Sequence, residues 1–174
     1  ISKTLGNVVD PFEYVTKYGT DALRYYLLAK IHPFEDSDFT KEKFEEVYQA
    51  DLANGLGNLV ARVAAMAQGG KQQTVSGKQQ ISLEVSTALD NYRFDEAMAK
   101  IWERIKKADR FVSEQKVWEL KGKEMTKALT WLVGEIRQIA VDLQPFLPET
   151  AGKIQKQFEG EKIVKSGALF PRLS

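Results

Sequence analysis

Apolar residues recur every three or four positions along most of this chain, a spacing typical of amphipathic α-helices. Strand-like alternation of apolar and polar residues is scarce, so the pattern predicts an all-α fold. Trp102 and Trp131 fall within such apolar patterns, and both are predicted to serve packing. The two longest runs are built on Met98, Ile101, Trp102, Ile105, Ala108 and Val112, and on Met125, Leu129, Leu132, Ile136, Ile139 and Leu143.

Residues with strong capping or breaking preferences mark where helices begin and end. Asp10-Pro11 predicts the start of a short helix that Gly19 ends. Asp21 is predicted to cap a second helix, and Thr40 to open a third. Further helices are expected at residues 51–68, 82–91, 95–115 and 125–143 and after Pro148. We therefore expect a bundle of about five helices at residues 51–174, preceded by a small, mostly helical connector at residues 1–50.

Composition narrows the possible functions. The chain has 174 residues, of which 43% are hydrophobic and 28% charged, as in ordinary globular proteins. It has no cysteine and one histidine, so we expect neither disulfides nor a thiolate or histidine-rich metal site. No apolar run approaches the roughly 20 residues of a membrane span, and a cytoplasmic location without membrane contact is the simplest expectation.

Charge is unevenly distributed, although the net charge is only +1. Residues 100–127 contain nine Lys or Arg against five Asp or Glu, whereas residues 1–50 are acidic overall. A basic segment is compatible with RNA binding, and a solvated helix face is the alternative.

The first eleven residues place one lysine, Lys3, in a segment of Ser, Thr and Gly. A lysine ammonium is a mobile point charge suited to phosphate oxygens. The segment is not a glycine-rich phosphate loop, and an exposed terminal lysine without a role is the alternative.

The predicted helix at residues 51–68 has a polar face. Asn54, Asn58 and Arg62 fall within roughly 80° of one another on an α-helix. Their amide and guanidinium groups can hydrogen-bond an unpaired cytosine, although a solvated face is the alternative. Gly55 and Gly57 each cost the helix up to about 1 kcal/mol relative to alanine, which predicts close approach of RNA or of a neighbouring helix. The opposite, packing face carries Leu52, Leu56, Leu59, Val60, Val63 and Met66.

Several segments resemble the methionyl-tRNA synthetases. The N-terminus resembles the class I synthetase signature Lys-Met-Ser-Lys-Ser followed by Leu-Gly-Asn-Val-Val-Asp-Pro, with the first lysine missing, Ile1 replacing Met and Thr4 replacing the last Ser. Residues 18–28, 36–40 and 51–59 resemble the methionyl enzymes in order and spacing. The resemblance is dense over residues 1–68 and looser beyond, and a start inside this motif indicates a fragment of a longer enzyme.

The resemblance implies that the bundle is the anticodon-binding domain of a methionine–tRNA ligase. In the whole enzyme, Lys3 would stabilise charge on the phosphates of ATP during methionine activation. ATP with Mg²⁺, methionine and a tRNA with the anticodon CAU are the expected ligands of that enzyme. The fragment alone is expected to bind no cofactor and to be inactive, because it lacks the nucleotide-binding fold.

The resemblance also implies roles for individual residues. Asn58 and Arg62 match residues that read the first anticodon base in this family, and Asn54 matches a supporting position. Trp118 matches their aromatic partner, which lies in a pattern of the form Asn-x-Tyr-(aliphatic)-x-x-x-x-Pro-Trp. Stacking of an unpaired base on an indole contributes about 1–3 kcal/mol.

This sequence departs from the family pattern at three positions. Asp109 replaces Asn, Phe111 replaces Tyr and Val117 replaces Pro, so we expect the bonds that orient the tryptophan to differ. The carboxylate adds negative charge near RNA, which Lys107 or Arg110 would have to offset. Two alternative functions stay open: the anticodon-binding part of another class I synthetase, of leucyl or cysteinyl type, and a non-catalytic helical interaction module.

Overall fold

The computed structural model describes residues 10–31, 39–69, 79–160 and 162–173. Within these ranges the chain is helical and forms no strand, so the predicted all-α fold is confirmed. None of the described helices is long and apolar enough to span a bilayer. The α-helices are α1 (Pro11–Tyr18), α2 (Thr20–Ala29), α3 (Lys41–Val47), α4 (Asn58–Ala67), α5 (Leu83–Asp90), α6 (Phe94–Glu114), α7 (Gly122–Leu143) and α8 (Pro148–Phe158).

Most of the predicted helix ends are confirmed. Asp10 Oδ1 accepts a hydrogen bond from Phe12 N at 2.9 Å, and proline occupies the first turn of α1. Gly19 ends α1 with φ +89°, a conformation that side chains rarely adopt. Thr40 Oγ1 accepts from Lys43 N at the start of α3. These caps satisfy backbone N–H groups that would otherwise lack a partner within the helix.

The predicted role of Asp21 as the cap of its own helix is wrong. Gly19 precedes α2 and makes no side-chain cap, while Asp21 lies within the first turn. Its buried carboxylate instead accepts a hydrogen bond from Thr150 N, in the first turn of α8, at 2.6 Å. One turn further along α2, Arg24 donates from Nε to Phe146 O at 2.6 Å. The helix N-terminus attracts the carboxylate, so α2 is joined to the turn between α7 and α8.

The prediction of a regular α-helix over residues 51–68 is only partly correct. Residues Tyr48–Gly57 form a π-helical segment, in which hydrogen bonds run from residue i+5 to residue i, and α4 continues from it. A Cβ at Gly57 would lie 3.0 Å from Leu52 O, and a Cβ at Gly55 would lie 3.3 Å from Ala50 O. The nearest atom at each glycine is therefore a carbonyl of its own wide turn, and at Gly57 the Phe170 backbone nitrogen also approaches, at 3.9 Å from such a Cβ. The approach of RNA stays a prediction.

The helix from α3 through the π-helical segment to α4 runs without a break across residue 50. The packing face predicted for residues 51–68 is buried at Leu52, Leu56, Leu59, Val60 and Val63, which each expose 2% or less. Trp102 stacks on Tyr25 with ring centroids 4.3 Å apart, so its packing role is confirmed. The division of the chain at residues 50 and 51 stays a prediction.

The C-terminal segment returns across the bundle to the π-helical segment. Tyr48 donates its hydroxyl hydrogen to Pro171 O at 3.0 Å, and Gln49 Oε1 accepts from Leu173 N at 3.0 Å. The Phe170 ring packs edge-on against Tyr48. The segment after α8 is therefore anchored close to the helix that carries Asn58 and Arg62.

Candidate nucleic-acid interface

Arg62 links two residues from different parts of the chain. Its Nη1 lies 2.8 Å from Asp109 Oδ1 on α6, and its guanidinium carbon lies 5.8 Å from the centre of the Trp118 ring. The second distance lies within the range of a cation–π interaction. Two of the residues assigned to base reading, Arg62 and Trp118, are therefore neighbours although 56 positions separate them.

A short turn after α6 presents Trp118 to solvent. Lys116 adopts the left-handed conformation, with φ +44°, and the 3-10 turn Val117–Glu119 follows. Val117 is fully buried, whereas Trp118 exposes 52% of its surface. Val117 thus anchors the turn in the core, and the next side chain along the turn is exposed.

Asn54 and Asn58 lie on the exposed side of the same long helix as Arg62. Asn54 belongs to the π-helical segment and is exposed, whereas Asn58 begins α4 and is half-buried. Within the described parts of the chain, neither side-chain amide forms a hydrogen bond to protein. Both amides are therefore accessible to a ligand at this face. Lys3, the fifth residue assigned a role, lies outside the described residues.

The departures from the family pattern have different consequences. Asp109 pairs with Arg62, so the expectation that Lys107 or Arg110 offsets its charge is wrong. Those two cations instead line a groove of about 770 Å³ between α6 and α7. Phe111 packs against Trp131, with ring centroids 4.4 Å apart.

Trp131 serves packing, as predicted, but it remains half-buried and lines the same groove between α6 and α7. Phe111, its ring partner, is also half-buried. The Phe111 ring therefore supports α7 through Trp131, whereas the Trp118 ring lies beside Arg62.

Arg62, Trp118 and the two asparagines offer three kinds of recognition group, of which the structure brings Arg62 and Trp118 together. The guanidinium donates hydrogen bonds, the amides of Asn54 and Asn58 both donate and accept them, and the indole of Trp118 offers a flat apolar face. An unpaired base requires this combination, because one ring face stacks while its edge is hydrogen-bonded. The described residues include no group of three or more His, Asp or Glu that could hold a metal ion.

The pairing of Arg62 with Asp109 is the part of the site that the sequence analysis missed. The two residues belong to separate helices, and their contact depends on how α4 and α6 pack. One signal was present in the sequence: Asp109, a carboxylate, stands where the pattern of the resembled family has Asn, within the basic stretch of residues 100–127.

Known proteins are similar to this chain over nearly all of its length. Residues 1–64 match the family model described as tRNA synthetases class I (M). Methionine–tRNA ligase from Listeria innocua is 35% identical over 99% of this chain, and so is the ligase from Clostridium acetobutylicum. The alignments cover 32% of each relative, so the chain spans about a third of the length of the curated relatives it matches.

A solved structure shares the fold. The Mycobacterium tuberculosis methionyl-tRNA synthetase in complex with methionyl-adenylate superposes with a TM-score of 0.74 at 27% identity, covering 99% of this chain and 41% of that one. The fold and the signature segment define a part of a class I aminoacyl-tRNA synthetase. Within that class, the chain belongs to the methionyl-tRNA synthetase family, and the relatives named here favour this assignment over the leucyl or cysteinyl alternative.

Proposed function

We propose that this chain binds the anticodon loop of a methionine tRNA and recognises the anticodon CAU. The observation that carries this proposal is the convergence of Arg62 and Trp118 at one exposed surface, with a ring-to-guanidinium distance of 5.8 Å. Trp118 is exposed and Arg62 is only half-buried. An exposed indole beside a cation is suited to stacking a base.

The division of work within the site follows from the chemistry of each group. Trp118 stacks on the first anticodon base, which has left the anticodon stack. Arg62 donates to O2 and N3 of that cytosine, while Asn58, supported by Asn54, accepts from the N4 amino group. Guanine or adenine presents a different pattern of donors and acceptors, so the site discriminates by hydrogen bonding.

For the longer protein we propose the activity of the relatives, a methionine–tRNA ligase that uses ATP. Lys3 would neutralise charge on the ATP phosphates, and Mg²⁺ would accompany the nucleotide. Methionine and its tRNA are the proposed substrates, and the cytoplasm is the proposed location. Residues 1–50 would connect the active site to the bundle at residues 51–174. The 174-residue chain by itself is proposed to be inactive in methionine activation.

Hairpin RNAs that reproduce an anticodon stem and loop test the proposal directly. Binding of the chain to a loop with CAU is compared with binding to a loop with GAU at low salt. We expect tighter binding of the CAU hairpin. Trp118→Ala should weaken binding by roughly 5- to 100-fold, which corresponds to about 1–3 kcal/mol of stacking. Arg62→Ala should remove the preference for CAU.

Arg93→Ala is a matched control, because Arg93 also forms an exposed ion pair, with Glu96, but immediately precedes α6 at the opposite end from Trp118. This variant should bind both hairpins as the wild type does. Equal binding of the two hairpins by the wild type would contradict anticodon readout. Salt-insensitive binding would favour the helical interaction module instead, because contacts to phosphate release counterions.

A further inference from the structure

Among the described residues, a groove between α8 and the segment after it is lined by four lysines and by no carboxylate. It has a volume of about 530 Å³. Lys153 and Lys156 come from α8, and Lys162 and Lys165 come from the following segment. All four side chains are exposed. We call this feature the lysine groove.

The cations of the lysine groove differ from several other lysines of the described chain in their pairing. Within the described parts of the chain, none of the four forms an ion pair, whereas Lys17, Lys30 and Lys100 each pair with an acidic side chain elsewhere. Several like charges around one cavity repel one another. An anionic partner relieves this repulsion, so its binding is more favourable there than at a scattered set of lysines. The groove is therefore suited to a polyanion.

The shape of the lysine groove is fixed by the fold. Arg137 donates from Nε to Phe158 O at 2.7 Å and holds the last turn of α8. Gln157 donates from Nε2 to Val164 O at 2.9 Å, which ties the following segment back to the helix. Ile163 is buried between two of the lysines. These contacts limit the freedom of the backbone that carries Lys162 and Lys165.

The lysine groove adjoins the helix that carries the candidate anticodon site. A second, smaller cavity is lined by Gly57, Val60 and Ala61 on one side and by Gln157 and Lys165 on the other. Lys165 lines both cavities. Ala61 precedes Arg62 and lies about 100° from it around α4, so the two features lie on different sides of one helix. A hairpin bound at Arg62 therefore reaches Lys165 by extending around that helix.

We infer that the lysine groove binds the phosphate backbone of the tRNA anticodon arm beside the loop. This inference rests on the proposed function, because it places the groove next to a bound anticodon. The contacts are electrostatic and independent of base identity, so the groove adds affinity without adding preference for CAU. An acidic protein segment is the competing occupant, and the experiment below separates the two.

The test compares two charge reversals, Lys165→Glu and Lys43→Glu. Lys43 is exposed on α3, forms no ion pair within the described residues and lies outside the groove. Affinity for the CAU and GAU hairpins is measured for each variant over a series of salt concentrations. Lys165→Glu should weaken binding of both hairpins by about tenfold at physiological salt and lower the slope of log affinity against log salt by about 1. Lys43→Glu should leave the affinity for both hairpins and the salt slope unchanged.

Lys156→Glu provides a second variant from the other wall of the groove, and thermal unfolding verifies that each variant is folded. Unchanged hairpin binding by folded Lys165→Glu and Lys156→Glu, with the CAU preference intact, would overturn the inference and leave the proposed function standing. Loss of affinity in a protein without CAU preference would support the groove and refute anticodon readout. Tighter binding of poly-L-glutamate than of either hairpin would assign the groove to an acidic protein and overturn the inference.

Discussion

Asp21 Oδ2 accepts a hydrogen bond from Thr150 N at 2.6 Å, across 129 positions of the chain. The carboxylate belongs to the first turn of α2 and lies against the first turn of α8, whose N-terminus it faces. Arg24 meanwhile donates to the carbonyls of Pro145 and Phe146 just before α8. On α2, the negative Asp21 thus faces a backbone N–H at the start of α8, and the positive Arg24 faces backbone carbonyls of the turn before α8.

Replacement of Asp21 should destabilise the whole chain. Asp21→Ala leaves the Thr150 N–H buried without its acceptor, and we expect the free energy of unfolding to fall by about 2 kcal/mol. Asp21→Asn retains an acceptor oxygen and should lose less. Urea denaturation followed by circular dichroism measures both. Asp90→Ala, at an exposed helix end, is the control and should change stability by less than about 0.5 kcal/mol. Equal losses for Asp21→Ala and Asp90→Ala would contradict the role of this bond.

Neutralising Asp109 should strengthen RNA binding. The carboxylate occupies one Arg62 donor and repels phosphates, so Asp109→Asn should tighten hairpin binding by about fivefold, equivalent to about 1 kcal/mol for an exposed pair. Both side chains are partly solvated, and the free energy of unfolding should change by less than about 1 kcal/mol. Glu103→Gln removes a charge from the same helix at its pair with Lys100 and serves as the control. Weaker binding by Asp109→Asn would mean that the carboxylate orients Arg62 for the base.

Glycine at position 116 should stabilise the protein. Lys116 follows α6 with φ +44°, a backbone conformation that a side chain disfavours and glycine adopts readily. Lys116→Gly should raise the free energy of unfolding by about 0.5–1 kcal/mol in urea denaturation. Lys116→Ala keeps the Cβ and should give no such gain. A loss of stability in the glycine variant would show that the flexibility added to the unfolded chain outweighs the relief of strain.

Stability should fall at alkaline pH, in part through Tyr25. Burial, together with the hydrogen bond to Asp51 at 2.7 Å, raises the pKa of the Tyr25 phenol far above its ordinary value of about 10. Below about pH 10 the Tyr25 phenol is protonated in both the folded and the unfolded chain. Above about pH 10 the phenol ionises in the unfolded chain and stays protonated in the folded chain, so the free energy of unfolding declines as pH rises.

Tyr25→Phe should reduce this decline by up to about 1.4 kcal/mol per pH unit, although it lowers stability at neutral pH through the lost hydrogen bond. Urea denaturation of the wild type and the variant between about pH 9 and pH 11 measures the two slopes. Parallel curves over that range would show that Tyr25 does not contribute.

The helices themselves were predictable because each has a local signal. Asp10 and Thr40 cap the helices that follow them, and the apolar stripe of α6 shows which side is buried. Trp118 was assignable only through the family resemblance, since an isolated tryptophan near a helix end more often packs than protrudes. Its exposure depends on Val117 being buried beside it, which no local pattern indicates.

Interactions between distant segments could not be read from the sequence. Asp21 looks like an ordinary helix cap because the sequence does not show that α8 begins against it. The lysine groove likewise needs the fold, because Lys153 and Lys165 meet only where the last segment turns back along α8. In both cases tertiary packing, which no local pattern indicates, brings the residues together.

The π-helical segment changes how related sequences should be compared in this region. Each of its turns takes up one residue more than an α-helical turn, so a helical wheel drawn at a uniform step loses phase between Tyr48 and Gly57. A relative that lacks one residue here could form a regular α-helix and still present its Asn58 and Arg62 equivalents in the same direction. Single-residue gaps in alignments of this segment are thus structurally meaningful, and they offer a way to trace where the wide turn arose.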